Sequence, residues 1–312
     1  MIPVSPSCQP IPAIGLLAAL ALCCALPTAR AEPAIGQFEL KTLDSSPGAF
    51  EFQSQNAWSW GNPDRRVASN DEGELVFDEN AVVRQRHAVE LEAGLTSALK
   101  MRVGVEFEKE RFDDIETLAQ ANAFDDLQLT EFGIELIAVL VPRPGDGAGF
   151  GVVVEFERPR DREESDALIV GPVIEFRSGR WFVAAVPSAV RTLGGRTDEG
   201  DEIDDKWDFA YAAQLAYTFS ERWTVAFEGY GTVERLGDSG HPSEAARLFG
   251  DFNQHRAGAV GYRTFDFGGS QRTQAASATE DDGNVSIGVG LLAGLNRHTP
   301  DYTLKLSLEV DF

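Results

Sequence analysis

Beyond residue 24 the chain has no cysteine, since Cys8, Cys23 and Cys24 are all the thiols it contains. A disulfide-stapled minidomain is therefore excluded, and stability must come from a large core or sheet. Bases are scarce as well: 27 Lys and Arg face 50 Asp and Glu, for a net charge of -23. Such a chain lacks the clustered cations that phosphate contacts require, so nucleic-acid binding is not expected. Long apolar runs are also missing after the first segment. The longest candidate, residues 137 to 141, extends back only to Phe132 and has Glu135 inside it. Helical membrane spans are thereby excluded. No Ser stands in a Gly-x-Ser-x-Gly context, and the four histidines (His87, His241, His255 and His298) show no hydrolase spacing. Ser188 and Ser286 are the hydroxyls that a hydrolase, a remote alternative, would have to use.

The first 31 residues read as a secretory signal. An apolar run over 13 to 26 precedes Pro27 and a small-residue site at Ala29-Arg30-Ala31, although the opening residues carry no base. Cleavage would remove every cysteine together with Arg30, moving the charge to -24. Residues 32 to 49 are expected to be a periplasmic N-terminal leader, and 50 to 312 the folded body.

That body shows period-2 alternation almost throughout. Residues 99 to 107 set Leu99, Met101, Val103, Val105 and Phe107 against Lys100, Arg102, Gly104 and Glu106. Residues 207 to 219 and 285 to 295 repeat the pattern, and 302 to 312 do so without a break. Weaker versions lie at 50 to 60, 82 to 95, 131 to 141, 148 to 157, 167 to 177, 181 to 191, 223 to 235 and 255 to 267. Pro187 weakens one of these, and the register of 255 to 267 is unclear. About 12 strands are expected, within a range of 10 to 14.

Alternation alone allows a soluble sandwich or a membrane barrel, and strand length separates them. Eleven residues at ~3.3 Å each, tilted ~45°, rise about 25 Å, the height of an outer-membrane apolar band. Soluble strands more often run about 5 to 6 residues. Strand ends carry Trp58, Trp60, Trp181, Trp207, Tyr217, Phe219, Trp223, Tyr302 and Phe312, as interfacial girdles require. Tight connections at 96 to 98, 178 to 180 and 220 to 222 alternate with long polar stretches at 61 to 81, 113 to 130, 192 to 206 and 236 to 254. The pattern predicts an all-β, transmembrane, up-and-down antiparallel barrel with periplasmic turns and long outer loops. The connection 268 to 284 is too long for its expected periplasmic side and 296 to 301 is short for an external one, so either the last hairpin is low on the outer side or the strand count between 246 and 284 is off by one.

The last strand ends in Phe312, with Tyr302, Leu304, Leu306, Leu308 and Val310 at alternate places before it. This row resembles the assembly signal of Gram-negative outer-membrane proteins. From the signal segment to that strand, the chain resembles the broad group of Gram-negative outer-membrane porin and transporter barrels. The resemblance implies export to the outer membrane, contact with its lipid and lipopolysaccharide, and insertion by the outer-membrane assembly machinery. It implies no particular solute.

If the apolar rows face lipid, the polar rows line the lumen. Sixteen carboxylates then point inward: Glu51, Glu90, Glu92, Glu106, Glu108, Glu110, Glu131, Glu135, Glu155, Glu157, Glu175, Asp208, Glu228, Glu234, Glu309 and Asp311. Six bases accompany them: Arg84, Arg86, Lys100, Arg102, Arg177 and Lys305. One reading is a channel for passive diffusion of small hydrophilic solutes, cation-favouring or neutral. The other is a non-conducting structural or binding barrel, closed by ion pairs between neighbouring strands, whose outer loops meet a partner. The acidic loop 197 to 205 matches no defined calcium loop, and neither a resident metal nor a cofactor is expected.

Overall fold

The computed structural model describes residues 40–78, 81–112, 115, 117–143, 145–160, 165–193, 206–266 and 284–312. The expected signal segment, the acidic loop 197 to 205 and most of the connection 268 to 284 lie outside the described residues.

The strands are β1 (Phe50–Trp60), β2 (Val67–Ser69), β3 (Leu75–Phe77), β4 (Val83–Thr96), β5 (Leu99–Glu110), β6 (Gln128–Val141) and β7 (Gly147–Pro159). They continue as β8 (Asp166–Ser178), β9 (Trp181–Leu193), β10 (Trp207–Ser220), β11 (Trp223–Val233), β12 (Gln254–Asp266), β13 (Asn284–Gly294) and β14 (Tyr302–Asp311). All but β2 and β3 form one closed antiparallel barrel, in which β1 pairs with β4 on one side and with β14 on the other. Closure leaves no unpaired edge, the condition a sheet must meet inside a lipid bilayer. The twelve barrel strands match the twelve alternating stretches of the sequence. Pairing of β12 directly with β13 through Arg256↔Gly294 settles the doubtful count, because no strand intervenes.

Residue type decides which way each face turns. Leu91, Phe132, Ile174, Phe227 and Leu291 are exposed on the outside, while Arg86, Glu135, Glu175, Glu228 and Lys305 on the opposite faces are buried. Apolar rows thus face outward and polar rows inward, the reverse of a soluble sandwich. Aromatics gather at both rims: Trp60 lies 6.1 Å from Tyr302 at the outer end, and Trp181 lies 4.8 Å from Tyr217 at the inner end. Their apolar rings and polar edges suit the boundary between hydrocarbon and water.

Proline inside a barrel strand needs a local reason. The β8–β9 ladder runs to Val170↔Ala189 and resumes at Ile174↔Ala185, and the gap holds both Pro172 and Pro187. Neither proline can donate a ladder hydrogen bond. Gly171 sits in the same gap, where a Cβ would come within 2.4 Å of the Pro187 carbonyl oxygen. The outer loops carry their own structure: β2 and β3 form a hairpin, and α1 (Glu244–Phe249) is capped by the Ser243 hydroxyl. Arg66 joins these two pieces, donating to Asp78 at 2.5 Å and to the Phe249 carbonyl at 2.8 Å.

Candidate functional site

The lumen has two unlike walls. Strands β4 to β7 present Arg86, Glu90, Glu92, Lys100, Arg102, Glu106, Glu108, Glu131, Glu135, Glu155 and Glu157, because alternation leaves every second residue of each facing in. Strands β8 to β10 present small apolar side chains instead, among them Ala167, Ile169, Val173, Val186, Val190, Ala210 and Ala212, all buried. The charged wall was readable from sequence. The apolar wall was readable on β10, where 207 to 219 alternate, and less so on β8 and β9, whose inward residues alternate with equally apolar outward ones.

Ion pairs knit the charged wall across neighbouring strands. Arg86 hydrogen-bonds Glu106 and lies 3.4 Å from Glu108. Arg102 reaches Glu92 at 2.8 Å, and lies 3.7 Å from both Glu90 and Glu135. Lys100 pairs with Glu92 at 2.9 Å. A second polar cluster crosses the other side of the barrel, where Lys305 donates to Glu228 at 2.7 Å and to Tyr230 at 2.8 Å. Tyr230 and Tyr262 both donate to Glu228, and so does Gln214 at 2.7 Å. At 0 % exposure Glu228 is deeply buried, and four donors compensate the loss of its water.

The leader enters this lumen. Residues 40 to 49, the described part of the expected periplasmic leader, double back from the start of β1 and climb inside. The turn is pinned where Gly48 donates to the Gly94 carbonyl at 2.8 Å and Gly94 donates back to Ala49 at 2.9 Å. Gly94 has no Cβ, which leaves room for the Ser46 carbonyl, and Gly48 takes the left-handed φ of +82°. Above it, Ser45 donates to the Thr96 carbonyl at 2.7 Å, and Asp44 meets Arg143 at 3.3 Å. The Leu43 amide donates to Glu175 at 2.8 Å, and Arg143 donates to the same carboxylate at 2.9 Å.

Leu43 packs among Ile137, Val139, Val153, Val173 and Val186. Gly149 and Gly151 shape its seat, since a Cβ at Gly151 would come within 2.5 Å of Leu43 Cδ2. Lys100 donates to the Thr42 hydroxyl at 3.1 Å. Lys41 hydrogen-bonds Glu135 and reaches Glu155 Oε2 at 2.8 Å. Leu40 rests against a cluster of Ala57, Ala212, Tyr230, Val260 and Leu292. The leader therefore puts one ammonium on the acidic wall and leucines on the apolar surfaces at either side.

Not every expected lining residue lines the lumen. Arg84 is exposed at the outer rim, its guanidinium 5.6 Å above Phe124, because the β4–β5 register shifts between Val83 and Gln85. Arg177 is exposed at the inner rim over Phe182, near the tight turn that ends β8. Asp208 is buried but caps a loop, accepting from the Arg235 amide at 2.7 Å. Glu234 lies past the end of β11 and accepts from the Phe252 amide. Glu309 sits partly exposed at the inner rim beside Glu51 and Asp311, where one oxygen from each lies within 4.8 Å of the others.

Sequence reasoning missed Lys41, which stood outside any strand, and Arg256, Tyr230 and Tyr262. Even positions of β12 face inward, so Arg256 and Tyr262 follow once its register is known. As for the hydrolase candidates, Ser286 faces Thr264 and Ser188 sits against Gly171. His87 bonds Asn56, and His255 bonds Tyr211, on the outer surface. Among the described residues neither serine hydrogen-bonds a histidine.

A closed twelve-stranded barrel with lipid-type residues outside and a polar lumen defines a transmembrane β-barrel of the outer-membrane kind. No family model matches the chain, and no curated protein matches it in sequence. Among solved structures it is similar to an outer membrane channel from Pseudomonas putida F1, with a TM-score of 0.52 and 10% identity, over 91% of this chain and 100% of that one. The NanC porin is similar with a TM-score of 0.47 and 7% identity, over 84% of this chain and 98% of that one. At such identity the likeness is one of fold.

Proposed function

We propose that the protein is an outer-membrane channel for small hydrophilic solutes, cation-favouring, held closed in this state by its own leader. The observation that carries this reading is the excess of acid over base on the β4–β7 wall. Glu131 is 5% exposed and Glu157 1% exposed, and neither forms a hydrogen bond or ion pair among the described residues. Two buried carboxylates that no base meets directly are costly in a merely structural core and useful where cations pass. Export to the outer membrane, contact with lipopolysaccharide at the outer loops, and recognition of the Tyr302-to-Phe312 row by the assembly machinery belong to the same proposal.

A second reading, a non-conducting barrel, is favoured by Arg86, Arg102 and Lys305, which are buried inside it and paired with carboxylates of other strands. Planar-bilayer recordings under a salt gradient separate the two, comparing the whole chain with a form lacking residues 32 to 47. The channel reading expects low conductance from the first and larger, cation-selective conductance from the second. Anion preference, or silence from both forms, overturns it.

A further inference from the structure

We propose that the lumenal seat of Leu40, Lys41 and Leu43 is a binding site for a small amphiphilic cation, an ammonium group on a short apolar body, with which the leader competes. The proposal rests on the channel reading and adds the chemical class of its ligand. The charged half of the seat is built for an ammonium. Lys41 lies between Glu135 and Glu155, and beside it a cavity of about 20 Å³ is lined by Glu90, Arg102, Glu106, Glu131, Glu135 and Glu155. That volume admits about one water or a group of similar size. Glu90 Oε2, Glu106 Oε2 and Glu135 Oε1 are buried without a hydrogen bond, the first and last of them 3.7 Å from Arg102, and Glu131 lines the same cavity. The seat therefore keeps unused acceptors after Lys41 has taken its share.

The apolar half is independent of that charge. Leu43 fills a pocket of five aliphatic side chains opened further by two glycines, and Leu40 covers a second cluster. A ligand that replaces these three residues must carry positive charge on one side and hydrocarbon on the other. An anion would meet bare carboxylates, and a sugar would leave the valine and isoleucine surface unfilled. A chelated dication fits less well. Among the described residues the acids converging within 4.8 Å are Glu51, Glu309 and Asp311 at the rim, away from this seat.

The tether sets the concentration scale. A segment joined by a short flexible connection competes at an effective concentration in the millimolar range, so a free rival must reach on the order of tens of millimolar.

The test uses the full chain in liposomes, with a spin label on Ser45→Cys, since every native cysteine lies within the first 24 residues. Butylammonium is the probe, with potassium and butyrate as controls at equal ionic strength. Butylammonium is expected to mobilise the label, and the controls to leave it unchanged. Glu131→Gln, which does not touch Lys41, is expected to raise the butylammonium concentration required about tenfold while leaving the unliganded spectrum as it was. No mobilisation, equal mobilisation by potassium, or an unchanged response in Glu131→Gln overturns the proposal. Mobilisation without conductance in the bilayer experiment would sustain this site and sink the channel; cation-selective conductance without mobilisation would do the opposite.

Discussion

The ammonium of Lys41 lies 2.8 Å from Glu155 Oε2, joining a leader residue to a barrel carboxylate 114 positions away. Glu135 holds the same ammonium from the neighbouring strand, so three side chains buried together depend on one another. Replacing Lys41→Met strands two carboxylates and is expected to weaken leader docking by about 3–5 kcal/mol. Amide exchange over residues 42 to 49 would show it as faster exchange. Combining Lys41→Met with Glu135→Gln and Glu155→Gln should recover part of that loss, because no bare charge is then left; a triple variant worse than the single one would contradict the account.

Leu43 anchors the same segment by packing. Truncation to Ala in a well-filled pocket costs about 2–5 kcal/mol, here drawn from leader docking and not from strand pairing. Trypsin supplies the readout, because it cuts after Lys41 only when the leader leaves the lumen. Leu43→Ala is expected to yield a fragment beginning at Thr42, with the barrel intact by its gel mobility. Resistance equal to that of the parent chain would mean the apolar seat contributes little.

Across the barrel, Glu228 accepts from Lys305, Tyr230, Tyr262 and Gln214. Lys305→Met leaves that carboxylate at the centre of the lumen with neutral donors only. Thermal unfolding in detergent should fall by an amount equivalent to about 3–5 kcal/mol. Tyr262→Phe removes one donor among four and should cost about 1 kcal/mol. If both variants cost the same, Glu228 is not the hub.

At the outer mouth His298 stacks on Phe252 with ring centroids 5.1 Å apart and accepts a hydrogen bond from Arg297 at 3.1 Å. An imidazole that accepts must be neutral. Burial, with Arg66 and Arg297 nearby, lowers its pKa below the ordinary 6.5. A depressed folded pKa means that the contact stabilises the loop above about 6.5 and is lost as pH falls through the folded value. Protection factors of the amides around 252 to 255 and 295 to 299, which allow for the intrinsic pH dependence of exchange, should fall as pH drops below about 6.5. His298→Gln, which cannot titrate, should remove that dependence.

Much of this molecule was legible one residue at a time. Period-2 alternation set the strands within a few residues of their ends, because a strand between lipid and a polar lumen must change character at every step. The same alternation named Arg86, Arg102, Glu135 and Lys305 as inward. It failed at Arg84 and Arg177, where rim position and a register shift carry a nominally inward side chain out to solvent. It was weaker on β8 and β9, where many inner and outer residues are both apolar.

What no local pattern could decide is which residues from distant strands share the lumen and what fills it. Leu40, Lys41 and Leu43 lie in a stretch outside every counted strand. Their place follows from glycines at 94, 149 and 151 that clear a path, and from Glu135, Glu155 and Glu175, which leave acceptors for them. The sequence by itself determined a barrel with an acidic inner face, since alternation and strand length are properties of single strands. Only closure of the sheet decided that the leader lies inside it, because an interior exists only when the first strand meets the last.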